Sequence, residues 1–230
     1  MNLRLWLSSF LLLIASAIAF GDDFDRHVAD VVILQIKPVQ KELGITDTQR
    51  AKMNRAADEH RAELAAYEKQ LEASKGKPES SRLLSYFKQL RDSVLNDLSA
   101  TQIRRLRELT LQHIGLVGLA DQVVAKRVGL SDSQLKTVRQ DIVRGQNAVK
   151  ALSEATEKPL AAKYRSMKAT SQADHAKLVQ QFNQQLESVL RPKIAAMEQK
   201  DKVQILAILT AKQRAIWKSL QGKPYNRSNG

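Results

Sequence analysis

The chain has 230 residues, a formal net charge of +13 from 37 Lys and Arg against 24 Asp and Glu, and no cysteine. That length holds one or two domains with room for a helical core, and the missing thiols exclude disulfides, thiol catalysis and zinc–thiolate sites, leaving helix packing to hold the fold. The basic excess selects acidic partners, namely unfolded acidic proteins, anionic lipid headgroups, lipopolysaccharide or nucleic acid, although basic residues scattered over solvated helix faces would serve solubility alone.

Residues 1–19 read as a secretory signal peptide: Arg4 near the start, the apolar run Phe10-Leu-Leu-Leu-Ile-Ala, and Ala17-Ile18-Ala19 as a small-x-small cleavage site. The run is short of the roughly 20 apolar residues a membrane anchor needs. Cleavage after Ala19 starts the mature chain at Phe20, outside the cytoplasm and in the periplasm of a Gram-negative source; with Arg4 gone the net charge is +12. Export argues against nucleic acid as a partner.

From Phe24 to Lys37, Val28, Val31, Val32, Leu34 and Ile36 are dense enough for one packed helix, which Pro38 interrupts. Pro38–Leu43 then reads as a short helical turn with proline at its first position and Gly44 just past its end. A long helix is expected from Asp47 to about Ala73, with a thin stripe of Met53, Ala56, Ala57, Leu64, Tyr67 and Leu71, and the polar stretch 74–81 with Gly76 and Pro78 reverses the chain. Leu83, Leu84, Phe87, Leu90, Val94, Leu95 and Leu98 mark the next helix, and Leu106, Leu109 and Ile114 a third, with Arg104, Arg105 and Arg107 mostly on its other face. Gly115 and Gly118 break it at a packed joint between two halves. The second half repeats the order: a short helix from about Asp121 to Val128, Gly129, a helix carrying Leu135, Val138, Ile142, Val149 and Leu152, a kink or reversal at Lys158-Pro159, and a second candidate reversal at Thr170-Ser171. Residues 172–208 form another helix with a bend at Pro192, and a last helix ends at Gly222 and Pro224.

One pattern recurs four times: an aliphatic residue, Ser or Thr, two variable residues and Gln. It stands at Ile45-Thr46-x-x-Gln49, Leu98-Ser99-x-x-Gln102, Leu130-Ser131-x-x-Gln134 and Leu209-Thr210-x-x-Gln213. Each is a capping box, in which the hydroxyl accepts from the N3 backbone N–H and the N3 Gln reaches back to the N-cap N–H. Each therefore starts a helix. The aliphatic residue in front can staple to an apolar N4 residue, available as Ile103 and Leu135 but replaced by Arg50 and Arg214 in the other two copies. The first and third boxes follow a glycine and the second and fourth open a basic, leucine-containing helix, so one unit looks duplicated.

These residues resemble the LTxxQ-motif periplasmic proteins, the Spy/CpxP-like family. The matching positions are Ile45, Thr46, Gln49, Leu98, Ser99, Gln102, Leu130, Ser131, Gln134, Leu209, Thr210 and Gln213, with Ile45, Ser99 and Ser131 as conservative departures. The resemblance implies a helical cell-envelope protein. Family members carry two motifs and pair as dimers of curved helical hairpins, whereas this chain carries four. The expected fold is thus all-α: long antiparallel helical hairpins in two pseudo-repeated Spy/CpxP-like units, 20–118 and 119–222, followed by a flexible tail, 223–230. Opening boxes stand 85 residues apart and closing boxes 111, so the second hairpin holds 26 extra residues; shared between two helices, these lengthen its arm by about 20 Å. Two hairpins in one chain can cover each other as two protomers would, which predicts a monomer or weak dimer.

No nucleophile elbow, phosphate-binding glycine loop, His-Glu-x-x-His or paired-carboxylate signature occurs, so no enzyme and no cofactor are expected. His27, His60, His113 and His175 are far apart in sequence. Asp22, Asp23, Asp25, His27 and Asp30 could collect a cation, but read more simply as an acidic first turn that suits the helix dipole; no metal site is assigned. Met53, Met167 and Met197 are too sparse for a copper site. What remains is thin apolar stripes beside many basic residues. The expectation is an exported, ATP-independent chaperone-like or envelope-stress protein that binds unfolded or acidic clients on a basic, partly apolar concave face, with Arg104, Arg105 and Arg107 as client-binding residues. The alternatives are a regulatory or metal-responsive module docking on an envelope sensor protein, and a structural protein coating anionic lipid or lipopolysaccharide.

Overall fold

A computed structural model describes residues 24–74, 79–167 and 171–225. Among them every regular element is helical. The signal-peptide reading, Asp22, Asp23, Gly76, Pro78 and Thr170 lie outside the described residues. In chain order the elements are α1 (Phe24–Val28), a 3₁₀ turn (Val31–Gln35), α2 (Lys37–Glu42), α3 (Asp47–Ser74), α4 (Ser80–Asn96), α5 (Ala100–Ile114), a second 3₁₀ turn (Gly115–Ala120), α6 (Gln122–Val128), α7 (Asp132–Arg165), α8 (Gln172–Ile208) and α9 (Ala211–Leu220).

The chain forms two compact units. One takes the chain up to Gly115 and again from Trp217 onward; the other is Leu116–Ile216. The division at Gly115 lies close to the glycine-rich joint expected at 118, but the last stretch departs from the expectation: Trp217 onward belongs with the first unit, not the second. Residues 223–225 are likewise not a free tail, since Gln112 and Arg105 bond to Lys223 O and Tyr225 packs on the first unit's core.

In the first unit the segment expected as one helix, 24–37, is cut in two at Asp30. Its carboxylate accepts from Val32 N and its own N–H donates to Thr110 Oγ1, so the residue leaves the helix to cap the 3₁₀ turn. Pro38 is then the second residue of α2, where its missing N–H costs no helical bond. The core gathers Ile33, Leu34, Val39, Leu43, Met53, Leu95, Leu98, Ile103, Leu106 and Leu109. Gln49, near the start of α3, bonds the carbonyl of Asp97 just past α4, while Tyr67, two turns from the end of α3, accepts from Glu79 N just before α4.

The second unit is dominated by α7 and α8, of 34 and 37 residues, each about 50–55 Å long. Gln134 at the start of α7 bonds Ile208 O at the end of α8, and Tyr164 near the end of α7 bonds Gln185 in the first half of α8. Leu135, Val138 and Ile142 of α7 and Leu186, Leu190 and Ile205 of α8 are buried. Gly145 is buried on α7 because the Asp201 carboxylate of α8 occupies the place of its missing side chain. Two expectations fail here. Pro159 does not reverse the chain: α7 runs through it to Arg165, and the next helix begins after the N-cap Ser171. The added length is also not shared, since α7 exceeds α3 by six residues and α8 exceeds α4 by twenty.

Candidate functional site

The four capping boxes meet in pairs. Thr46 Oγ1, Ser99 Oγ, Ser131 Oγ and Thr210 Oγ1 each accept from the backbone N–H of the Gln three residues on, at 3.2 Å in every case. Each Gln Oε1 in turn accepts from the N–H of its own cap residue, at 2.8–3.1 Å. The Nε2 groups then leave the box. Gln49 donates to Gln102 Oε1 at 2.9 Å and to Asp97 O at 2.8 Å; Gln102 donates back to Gln49 Oε1 at 3.1 Å and to Leu43 O at 3.2 Å. In the other unit Gln134 donates to Gln213 Oε1 at 3.0 Å and Ile208 O at 2.9 Å, while Gln213 donates to Gln134 Oε1 at 3.0 Å and Gly129 O at 2.6 Å. Both hydrogens and both lone pairs of all four amides are thus used. The carbonyls of Asp97, Ile208 and Gly129 lie two residues before the partner's cap residue; Gln102 instead makes its shorter bond to Leu43 O, three residues before Thr46, with Gly44 O at the equivalent position 3.5 Å away, so the two clasps share one bonding scheme with a one-residue offset at that carbonyl. Capping explains Gln or Glu at N3, but only Gln can also donate across to a second helix.

In front of the boxes, Ile45, Leu98 and Leu209 are buried and Leu130 is half-buried, so the aliphatic position anchors each helix start to apolar surroundings. Arg50 and Arg214, which replace the staple residue, go elsewhere: Arg50 pairs with Asp47 at 3.2 Å and Arg214 donates to the carbonyls of Leu206 and Leu209.

The three arginines of α5 do not form one open basic face. Arg104 keeps 67% of its side chain exposed, with Asp25 at 3.7 Å. Arg105 is fixed by Glu42 at 2.6 Å and Glu108 at 2.8 Å and donates to Lys223 O at 2.7 Å. Burial is the largest single influence and opposes its charge, but hydrogen bonds and attraction from Glu108 and Glu42 together outweigh it, and the pKa stands above the ordinary arginine value. Arg107 has only 9% of its side chain exposed; it bonds Asp25 at 2.9 Å and Leu220 O, with its guanidinium 5.6 Å from the Phe24 ring centre. As client-binding residues, Arg105 and Arg107 are therefore corrected to internal ties. The reason is that α1, α2 and the stretch after Trp217 all bring carboxylates or carbonyls to α5, which no single-helix periodicity can reveal.

The acidic cluster is likewise engaged: Asp25 pairs with Arg104 and Arg107, and Asp30 caps the 3₁₀ turn. Among the described residues no group of three or more His, Asp or Glu could hold a metal ion. His60 lies 3.2 Å from Glu63 on its own helix.

No family model, curated protein or solved structure matches the chain. In the first unit Leu84 and Phe87 of α4 are 44% and 47% exposed, and Val32 and Ile36, in and just after the 3₁₀ turn that packs against α4, are 46% and 42% exposed. Lys37 and Lys88 stand exposed beside them in sequence. In the second unit Val143, Val179 and Val203 are exposed on α7 and α8, again among lysines and arginines. No described helix is long and apolar enough to cross a membrane. The sequence stripe containing Leu84 and Phe87 was legible as apolar; its exposure depended on how thin its partner α3 is, where only Met53, Ala56 and Tyr67 are buried.

Proposed function

We propose that the chain is an exported helical binding protein that captures unfolded, acidic segments without ATP, an LTxxQ-type chaperone-like or envelope-stress protein of the Spy/CpxP kind. In this reading each unit is a helical hairpin closed at its base by one glutamine clasp, and the two units are unequal copies of one ancestor. The shared bonding scheme of the clasps and the order of boxes support that reading. The observation that carries the functional part is the set of large apolar side chains left exposed, Leu84, Phe87, Val32 and Ile36, on a chain of net charge +13. Long-range attraction speeds encounter with an acidic segment, and apolar contact slows its release.

The test is aggregation of one acidic and one basic unfolded client, with and without the protein and without nucleotide, at low and high salt. Protection of the acidic client, with association slowed by salt and dissociation little changed, is expected, because exposed charges reach only about 8–10 Å near physiological ionic strength. Equal protection of both clients at both salts removes the electrostatic half of the mechanism, and protection of neither overturns the reading.

A further inference from the structure

Each of the two long helices carries one internal proline, and both stand at the same level of the α7–α8 pair. Gly145 against Asp201 and Tyr164 bonded to Gln185 set the antiparallel register. In that register the bond Pro159 denies to Ala155 O lies opposite the bond Pro192 denies to Ser188 O. Only the first of these carbonyls borders a groove. It has a volume of about 430 Å³ and is walled by Ala155, Pro159 and Leu160 of α7 and Val189 of α8, and its two charged residues are Lys163 and Lys193; Ser188 and Pro192 take no part in it. Ala155 O points along α7 toward Pro159, so it is an acceptor on the groove wall without its helical donor. The lysines are open as well. The carboxylates nearby in sequence, Glu154 and Glu187, stand 4.0 Å from Lys150 and Arg191, and among the described residues neither Lys163 nor Lys193 is in an ion pair. Lys163 Nζ lies 6.0 Å from the Tyr164 ring centre.

The register places Lys193 opposite about residue 154, so the two lysines are rooted about 13 Å apart along the groove. An extended chain advances about 3.3–3.6 Å per residue, and two carboxylates about four residues apart span that distance. Alternate residues of an extended chain share a face, so the side chain midway between the carboxylates faces the groove too, where Leu160 and Val189 offer apolar contact. The main chain of such a segment brings free N–H groups to Ala155 O. An acyl chain with an anionic headgroup would suit the lysines and the apolar wall but carries no donor for that carbonyl. We infer that this groove is a binding site for an extended segment of the form acidic-x-apolar-x-acidic, whose carboxylates meet Lys163 and Lys193 and whose backbone donates to Ala155 O. The inference rests on the reading of acidic unfolded segments as clients and adds a contact in the second unit to that of Leu84 and Phe87 in the first. It also gives Pro159 a use, since a proline that weakens α7 leaves an acceptor at the groove.

The experiment uses the full chain and a labelled peptide, Gly-Ser-Glu-Ser-Leu-Ser-Glu-Ser-Gly, with fluorescence anisotropy at low salt as the readout and circular dichroism as the check on folding. Saturable binding is expected, weaker by about tenfold or more for Lys163→Glu, for Lys193→Glu, and for an isomer of the peptide with its two Glu adjacent. Pro159→Ala returns an N–H to Ala155 O, so it should raise thermal stability and yet weaken the peptide about two- to tenfold. Pro192→Ala should raise stability and leave binding unchanged. No saturable binding, equal binding of the isomer, or an affinity that Pro159→Ala leaves unchanged would each overturn the inference. So would phosphatidylglycerol vesicles bound through Lys163 and Lys193, indifferent to Pro159→Ala, by a chain that takes up no peptide. The client assay separates this site from the broader reading: peptide bound with no client protected upholds the groove and overturns the chaperone, whereas clients protected with no peptide bound overturns the groove alone.

Discussion

Replacing Gln213 by Glu separates a clasp from a cap. Glu serves as well as Gln in a capping box, so if the motif only starts helices the variant should match the native chain. In the clasp, Gln213 is buried, and its Nε2 supplies two bonds, to Gly129 O and Gln134 Oε1. A carboxylate turns both contacts into oxygen facing oxygen. Two lost bonds at about 0.5–1.5 kcal/mol each, together with acceptors left partly desolvated, amount to about 2–4 kcal/mol. Thr210→Ala, which removes the cap bond and leaves the clasp chemistry in place, should cost about 0.5–2 kcal/mol, as should Thr46→Ala, Ser99→Ala and Ser131→Ala. Protonation should partly rescue Gln213→Glu, because the acid form can donate one bond that the carboxylate cannot. Its folded-state pKa is therefore raised above the ordinary glutamate value of about 4.3, and the deficit is full above the folded pKa and shrinks as pH falls through it. Urea unfolding followed by circular dichroism, comparing variant and native chain at each pH, measures the difference. A Gln213→Glu variant within about 0.5 kcal/mol of the native chain at neutral pH would refute the reasoning.

Arg107→Ala should cost about 1–3 kcal/mol by leaving Leu220 O without its donor and Asp25 with only the exposed Arg104, while Arg104→Ala should stay within about 0.5 kcal/mol; thermal melts distinguish them, and equal effects would contradict the assignment of Arg107 as an internal tie. Gly145→Ala should destabilise by about 1–3 kcal/mol because its Cβ meets Asp201, yet should become neutral or stabilising in an Asp201→Ala background, where only the gain in helix propensity of about 1 kcal/mol remains. Pro159→Ala and Pro192→Ala should raise stability, each by up to about 3 kcal/mol, since both prolines lie inside helices and deny Ala155 O and Ser188 O their bonds; unchanged urea midpoints would count against that. Leu84→Ala and Phe87→Ala should reduce client protection while changing stability by less than about 0.5 kcal/mol, because both side chains are already half exposed.

Helix starts were legible because the capping box is local: box, hydroxyl and Gln lie within four residues, and Asp47, Ala100, Asp132 and Ala211 begin helices where the motif places them. The partner of each Gln was not legible, since residues 49 and 102, or 134 and 213, meet only through tertiary packing. A signal was nonetheless present in the uniform choice of Gln where Glu would cap equally well. Pro159 misled in the other direction. A proline in a helix interior costs about 3 kcal/mol, which reads locally as a break, but the packing of a helix as long as α7 exceeds that cost and carries it through Pro159, as α8 runs through Pro192 where a continuous helix was expected. The arginines of α5 failed for a similar reason, because their carboxylate partners other than Glu108 lie 63 to 82 residues away in sequence.

The central functional claim is that exposed apolar side chains of α4 touch clients while Arg105 and Arg107 of α5, held by Glu42, Glu108 and Asp25, do not. Site-specific photo-crosslinking reads this directly: a photoreactive residue is placed at Leu84, Phe87, Arg105 or Arg107 in turn, and adducts with an unfolded acidic client are recorded at low salt. Adducts at 84 and 87 with none at 105 and 107, diminishing as salt is raised, are the predicted result. Adducts confined to 105 and 107, or absent from all four positions while the client is bound, would contradict it.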